Sequence, residues 1–390
     1  MSGRRAIIIA ARRTAIGKLG GLHKSRSIEK LAAPLISAVL SDARLQPQEI
    51  DEVIIGNAAG GGGNPSRLIA LAAGMPDAVP ALTLDRQCAS GLDAIIMAAR
   101  QIEAGAANAV IAGGAESPST APWRIAKPTN PYTDLPQFFA QAMFAPGSAA
   151  HGNMIEAADN VARQYGISRE RQDAFALESH RLATQTQAQC LVRGEILPMG
   201  SGEIDLLDEG PRAGLRPELL ARMKPLTAPD GTVTAGNSCQ ISDGAALTVV
   251  VSHEFHRRLG SPPGLAYAGA ASAGVDPRIL GIAAVPAFQK LLLQDAIPPS
   301  DLDAIELNET FAAQVLATID LLGLHPPSIN SLGGALAYGH PYGASGAILV
   351  VRLFTRMVRS NTGSATRRGV AMIAAAGGVG TAALFESLTS

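Results

Sequence analysis

The sequence predicts an α/β fold built from two copies of one unit. Three observations carry that prediction. Apolar runs rich in β-branched residues alternate with segments of helical length, the pattern of strands buried on both faces. Four landmarks of the first 120 residues recur in the same order roughly 250 to 262 residues later. The composition is 47% apolar but only 4% aromatic, with 41 glycines, so the core is expected to be small and aliphatic, with layers in close contact.

In order along the chain, residues 6–10, 53–56, 80–84 and 109–112 read as buried strands, and residues 28–41, 66–73 and 90–103 as the helices between them. Asn64-Pro65-Ser66 supplies a cap and a first-turn proline for the second helix. Residues 117–150 are rich in proline and aromatics, carry the single tryptophan, Trp123, and read as an inserted loop region. Residues 153–165 and 168–193 read as helices, and residues 198–229 as a long irregular stretch of the kind that is usually functional or mobile.

The second part repeats the grammar. Residues 264–274 echo 6–17, residues 302–308 echo 50–57, and residues 369–378 echo 108–114. Ser345-Gly346, near the start of a helix over 344–358, falls where Ser90-Gly91 falls in the first copy. The offset is too long for a solenoid repeat, so the chain reads as a duplicated unit whose copies pack face to face. The organisation expected is an N-terminal half of residues 1–116 plus 245–263, a loop region of residues 117–244 covering the active site, and a C-terminal half of residues 264–390. Ligand sites favour the carboxyl ends of parallel strands and interfaces between domains, so Cys88 is expected to face the loop that carries His340.

Composition excludes several classes. With 32 basic and 33 acidic residues the net charge is −1, and no Lys/Arg-rich run suggests a nucleic acid or a membrane surface as partner. Cys88, Cys190 and Cys239 are odd in number and widely separated, which argues against a disulfide framework and a zinc site and favours a reducing cytoplasm. The apolar stretch at residues 6–11 is too short for a signal segment or a membrane span. There is no G-x-S-x-G elbow, and Gly60-Gly61-Gly62-Gly63 lacks the later spacing of a dinucleotide loop.

Three residues remain as candidates for chemistry. Cys88, in Asp85-Arg86-Gln87-Cys88-Ala89-Ser90-Gly91, sits where a strand turns into a helix, and a helix N-terminus lowers a thiol's pKa and raises its reactivity. Its other reading is a small buried hydrophobe. His340 lies in a glycine-rich stretch from Ser331 to Gly346, either a site loop or a close crossing between halves. Asn308, in Glu306-Leu307-Asn308-Glu309-Thr310-Phe311, is either a helix cap or an amide that holds a water or a thioester carbonyl.

Together these residues, in a duplicated chain, resemble the thiolase superfamily. The resemblance spans essentially the whole chain, through Arg13-Thr14-Ala15-Ile16-Gly17-Lys18, Cys88-Ala89-Ser90-Gly91-Leu92, Ala112-Gly113-Gly114-Ala115-Glu116-Ser117, Thr234-Ala235-Gly236-Asn237, Asp243-Gly244-Ala245, Asn308-Glu309-Thr310-Phe311, Gly339-His340-Pro341-Tyr342-Gly343-Ala344-Ser345-Gly346 and Gly377-Gly378-Val379-Gly380. It implies a five-layered αβαβα fold. It also implies a CoA-dependent acyltransferase, of acetyl-CoA C-acyltransferase type, working through a cysteine thioester in Claisen condensation or in thiolysis of a 3-ketoacyl-CoA.

By the same resemblance, Cys88 is the nucleophile and His340 its base, and Asn308 positions a water that completes one oxyanion hole with His340. The backbone N–H groups of Cys88 and Ala376 form a second hole. Arg212, Cys239, Met154, Phe311 and Ala235 contact CoA or substrate, with Cys239 at the place of a serine near the pantetheine arm. Acyl-CoA enters as substrate, no cofactor is permanently bound and no metal is needed. The protein is expected to be a homodimer or homotetramer, although residues 117–150 depart from the family's tetramer loop.

One departure divides the possibilities. The family's second cysteine, which exchanges a proton with the substrate's α-carbon, falls at Ala374 in Ala374-Ala375-Ala376-Gly377-Gly378. Glu156 or His151 could replace it, or be ordinary helix-start residues. Alternatively, condensation could be decarboxylative, or carbon–carbon chemistry could be impaired. Thr310, Asn153, Leu332, Tyr338 and Tyr342 are further departures that suggest an altered acyl pocket.

Overall fold

The computed structural model describes residues 4–139, 142–146, 153–200, 203–294, 296–360 and 366–388. The main strands are β1 (Ala6–Thr14), β2 (Glu52–Gly56), β3 (Ala81–Leu84), β4 (Ala109–Glu116), β5 (Ser242–Ser252), β6 (Gly264–Gly274), β7 (Ala304–Leu307), β8 (Arg368–Ala375) and β9 (Val379–Leu388). The helices that build the layers are α1 (Ile28–Ala43), α2 (Pro65–Ala72), α3 (Ser90–Glu103), α4 (Met154–Gln164), α5 (Arg169–Ala188), α6 (Ala284–Gln294), α7 (Ala312–Leu322) and α8 (Tyr342–Phe354).

Hydrogen bonding links the strands in the order β7-β8-β9-β6-β1-β5-β4-β2-β3. Outward from the centre, β1-β5-β4-β2 and β6-β9-β8-β7 follow the same rule: two antiparallel pairings and then a parallel one. The strand beyond β2 is β3, parallel to it. Its counterpart in the second copy shrinks to a single parallel bridge between Ile305 and Ile329. The duplication read from sequence is therefore a duplication of topology.

Strand alternation distributes the side chains into layers. Ile7, Val53, Ile111 and Leu247 face outward onto Leu35, Ile36 and Val39 of α1 and Ile69 of α2. Ile8 and Ile54 face inward, into one cluster with Leu92 and Ile95 of α3, Ala347 and Val351 of α8, and Ile373 and Phe385 of the second copy. Val370, Met372 and Leu384 face out again, onto Phe288 and Leu291 of α6 and Val315 and Ile319 of α7. The order is helix, sheet, helix, sheet, helix, the five layers expected. The copies face each other across α3 and α8, and also touch edge to edge where Ile7 and Ile8 pair with Ala266 and Leu265.

The middle layer is thin because the residues at its crossing are glycines. A Cβ on Gly91 would lie 2.6 Å from the Gly343 carbonyl oxygen, and one on Gly346 2.6 Å from the Leu92 nitrogen. Close approach also explains why β4 runs to Glu116 rather than stopping at Ala112. Gly113 and Gly114 lie against Ala246 and Gly343, where a Cβ would be 2.1 Å from a carbonyl oxygen in each case.

Other boundaries move for local reasons. The helix expected over residues 168–193 ends at Ala188, because Cys190 takes a left-handed φ of 54° and a short 3₁₀ turn, Arg193–Glu195, follows. The helix expected over 344–358 starts at Tyr342 and ends at Phe354, with Thr355–Arg359 continuing as a π-helical turn. The irregular stretch 198–229 contains a five-residue helix, Pro217–Ala221.

The region between the halves rests largely on the C-terminal copy. Val161 and Ala162 of α4 pack with Ala313 and Ala317 of α7, and Ala176 of α5 packs with Ala312 and Leu336. It is also pinned to β1 by charge. Arg13 is fully buried and bonds Glu195 at 2.7 Å and Asp208 at 2.6 and 2.9 Å. Burial opposes its charge, but the two carboxylates outweigh that and hold it protonated. Among the described residues no helix is long and apolar enough to cross a membrane.

Candidate active site

The turn between β3 and α3 presents Cys88. Gln87 is left-handed at φ 52°, an uncommon state for a residue with a side chain, and the turn is closed on both sides of it. Gln87 N donates to Asp85 Oδ1 at 2.7 Å, Ala89 N to the Arg86 carbonyl at 3.1 Å and Ser90 N to the Gln87 carbonyl at 3.0 Å. Ser90 Oγ accepts from Arg86 N at 2.8 Å and donates to the Gln87 carbonyl at 2.6 Å. Cys88 is left 7% exposed, with the backbone N–H groups of Ala376 and of Cys88 itself on the side that favours its thiolate.

Those donors do not make it a resting thiolate. Burial pushes the Cys88 thiol up to about 12, the two N–H groups work against the rise, and the nearby Glu116 carboxylate adds to it. The helix N-terminus was expected to lower this pKa. Desolvation is the larger effect, because the helix begins two residues later and the thiol sits in the apolar middle layer.

His340 and Asn308 come together from two other loops. Asn308 follows β7, is 1% exposed, and donates through Nδ2 to Thr310 Oγ1 at 2.9 Å and to His340 Nδ1 at 3.4 Å. His340 Nδ1 also meets Ser345 Oγ at 2.6 Å. The asparagine amide can only donate, so it favours the tautomer with the proton on Nε2. The Ser345 hydroxyl can donate or accept, which keeps the other tautomer accessible. Burial pulls the imidazole down to about 4, so it is neutral at pH 7. Nε2 is buried and has no hydrogen-bond partner among the described residues, leaving it open to an incoming group.

Shared neighbours bring the two pairs together. Gly91, in the first turn of α3, abuts the carbonyl of Gly343, three residues after His340. The Tyr342 ring stands edge-on to His340 at 5.6 Å, and burial raises its hydroxyl pKa, with charges on Cys239 and Cys88 adding. Glu116 clamps the halves behind them. Its carboxylate accepts Asn57 Nδ2 at 2.7 Å, Ala58 N at 2.9 Å, Ala59 N at 3.1 Å and, from the other copy, Gly343 N at 3.0 Å. Burial raises this carboxyl to about 7 against the three backbone donors.

The remaining predicted residues fall into two groups. Cys239 lies beside the pair of loops, its N–H on the Thr310 carbonyl at 2.9 Å, while the next residue, Gln240, accepts His340 N at 2.9 Å. Met154 and Phe311 share one apolar cluster with Ala158 and Val233, and Ala235 is exposed on the adjoining loop. Arg212 is exposed elsewhere in the region between the halves, its N–H on His180 Nδ1 at 3.2 Å, and none of its described contacts reaches Cys88 or His340.

Glu156 is exposed and forms a capping box with Asn153 at the start of α4, so its ordinary role is the one observed. His151 lies outside the described residues. Ala374 is 3% exposed and belongs to the outer apolar cluster with Met372, so it puts a methyl group where the resemblance expects a thiol. Leu332 is half-buried, and Tyr338 is buried with Arg352 over its ring. Ser345 and Glu116 were quoted only within motifs. Their roles depend on contacts across a turn and across 227 residues, and no local signal singled them out.

Known proteins resemble the chain over nearly its whole length. The sequence pattern described as "Thiolase, N-terminal domain" matches residues 6–254, and that described as "Thiolase, C-terminal domain" matches residues 263–387. A Staphylococcus epidermidis protein named "Putative acetyl-CoA C-acetyltransferase VraB" is 44% identical over 382 residues, covering 97% of this chain and 98% of its own. A Staphylococcus aureus protein of the same name is 42% identical over 382 residues, with the same coverage. A crystal structure of the Bacillus anthracis acetyl-CoA acetyltransferase superposes with a TM-score of 0.93 at 35% identity, covering 99% of both chains.

Proposed function

The chain belongs to the thiolase family and is a CoA-dependent acyltransferase of thiolase type, and we propose that Cys88 carries the acyl group in its reaction. The substrates in this reading are acetyl-CoA and 3-ketoacyl-CoA thioesters. The observation that carries it is the close approach of the turn bearing Cys88 to the loop bearing His340, where Gly91 abuts the Gly343 carbonyl, together with a buried histidine whose Nε2 has no partner among the described residues. Cys88 and His340 are both neutral at rest. In the tautomer whose Nδ1–H donates to Ser345 Oγ, Nε2 is free to accept, and the proton passes to it as sulfur attacks the carbonyl carbon, not into a standing ion pair.

As attack proceeds, the carbonyl oxygen takes up negative charge. The N–H groups of Cys88 and Ala376 offer one set of donors to it, and protonated Nε2 with a water on Asn308 the other. Collapse of the adduct breaks the bond to the leaving group and leaves acyl-Cys88. Met154, Phe311, Ala235 and Cys239 line the approach in this reading, and Arg212 meets the nucleotide end of CoA. Residues 117–244 then serve as the cover of the site between the two halves.

We place the protein in the cytoplasm, as its three free cysteines suggest. We also propose assembly with further copies, as a dimer or tetramer. Two features support this: the half-exposed edge strand β3, flanked by exposed Leu68 and Leu71, and a hairpin bearing exposed Trp123, Tyr132, Leu135 and Phe138. A solution mass of two or four chains checks it.

The test of the acyl carrier is direct. Intact-protein mass after incubation with acetyl-CoA is expected to show one acetyl group, located to Cys88 by peptide mapping and absent from Cys88→Ala. No adduct with acetyl-CoA or any longer acyl-CoA would contradict the proposal.

A further inference from the structure

Loading an acyl group on Cys88 does not by itself make or break a carbon–carbon bond. That step needs a group that gives a proton to the substrate's α-carbon in cleavage and takes one in condensation. Position 374 has only a methyl group, directed into the outer apolar cluster. Glu116 faces the site, but its two oxygens are already occupied by four N–H donors. His340 is committed to Cys88 and to the oxyanion.

Cys239 remains, and its backbone is held at the junction of the two catalytic loops. On one side its N–H bonds the Thr310 carbonyl at 2.9 Å, and Ser238 bridges Phe311, two and three residues beyond Asn308. On the other, His340 N bonds the Gln240 carbonyl at 2.9 Å, and Ile241 bridges His340. Residue 239 is thus fixed between the asparagine and histidine loops, and its side chain is half-buried.

We propose that Cys239 is the acid/base of the carbon–carbon step, the second thiol of a site whose sequence lacks one at position 374. This rests on the reading of Cys88 as the acyl carrier. A charge on Cys88 acts on Cys239, and charges on both act on Tyr342, as expected of three side chains around one space. Burial raises the Cys239 thiol, so it rests protonated and ready to act as an acid. Burial raises the Tyr342 hydroxyl as it raises the Cys239 thiol, and the thiol begins with the lower pKa of the two.

In thiolysis, Cys88 sulfur attacks the 3-keto carbonyl as its proton passes to His340. The bond between the carbonyl carbon and the α-carbon then breaks, its electron pair going to the α-carbon. Cys239 Sγ–H protonates that carbon, and acetyl-CoA leaves. The Cys239 thiolate takes the proton of incoming CoA thiol, whose sulfur attacks acyl-Cys88. Cys88 recovers its proton from His340 as the new acyl-CoA departs. Condensation is the reverse, and every proton has a donor and an acceptor.

The test uses Cys239→Ser, which keeps a small hydroxyl for any contact with CoA but removes the thiol, a far better proton donor and acceptor than an alcohol. Three quantities are read on the full chain: acetylation of Cys88 by intact mass, exchange of acetyl-CoA methyl protons in D₂O by NMR, and kcat and KM for thiolysis of acetoacetyl-CoA. The variant is expected to reach the same final single acetyl group on Cys88 as the parent, more slowly, while proton exchange and kcat fall by about 10²- to 10⁴-fold. Proton exchange and kcat within a few-fold of the parent, or a rise in KM alone, would overturn the assignment. Failure of the acyl-carrier reading looks different, because the parent itself would then show no acetyl adduct.

Discussion

At the scale of single residues, the site is assembled from groups that are uncharged at rest. Burial holds the Cys88 thiol near 12 and the His340 imidazole near 4, so neutral pH leaves the first protonated and the second unprotonated. The sign of the consequence is clear. In the free protein the thiolate fraction of Cys88 rises about tenfold per pH unit below its pKa, so alkylation by iodoacetamide, followed by mass, is expected to climb steadily from pH 7 to 10. A plateau below pH 7 would mean that a thiolate–imidazolium pair already exists. Cys88, His340 and Asn308 could be singled out as candidates in the sequence because each sits in a distinctive local setting. Ser345 was not, since its hydroxyl matters only once the turn folds back onto His340 Nδ1 at 2.6 Å. The pKa of Cys88 was misjudged for a related reason, as helix position is readable from sequence but desolvation by the opposite half is not.

At the scale of elements, the site depends on how closely α3 and α8 cross. Gly91 and Gly346 let the start of α3 reach the Gly343 turn, which brings Cys88 toward the histidine loop. Gly346→Ala places a Cβ 2.6 Å from the Leu92 nitrogen, a rigid backbone neighbour. Overpacking of that kind typically costs about 1 to 3 kcal/mol, and a lowered denaturant midpoint with unchanged slope is the expected result. An unchanged midpoint would mean that the helices can part without strain. The strands and helices of the repeated unit were readable because both copies carry the same periodicity. Ends fixed by contact were less so: β4 extends through Gly113 and Gly114 because β5 and Gly343 press against it, and α5 stops where Cys190 turns left-handed.

At the scale of the whole molecule, buried ionisable groups give stability a defined pH dependence. Burial raises Glu116 and Glu309 from 4.5 to about 7, so the folded state binds more protons than the unfolded one between those values. Their contribution is complete below pH 4.5 and is lost as pH rises through 7. His340 and His180, lowered from 6.5 to about 4, act the opposite way, contributing above pH 6.5 and losing that contribution as pH falls through 4. Above pH 6.5 only the glutamates among these still titrate, so the melting temperature is expected to fall from pH 6.5 to 8, and less steeply in Glu116→Gln. A flat or rising curve would contradict this. The layered architecture and the duplication were legible at this scale, while the clamp of Glu116 on Gly343 required the halves to be seen together. The central claim is that this fold passes an acyl group through Cys88. Rapid-quench thiolysis of acetoacetyl-CoA tests it most directly, and the account predicts a burst of acetyl-CoA matching the number of active sites, with acyl-Cys88 appearing at the same rate. Product that forms without a burst, or that forms equally fast in Cys88→Ala, would contradict it.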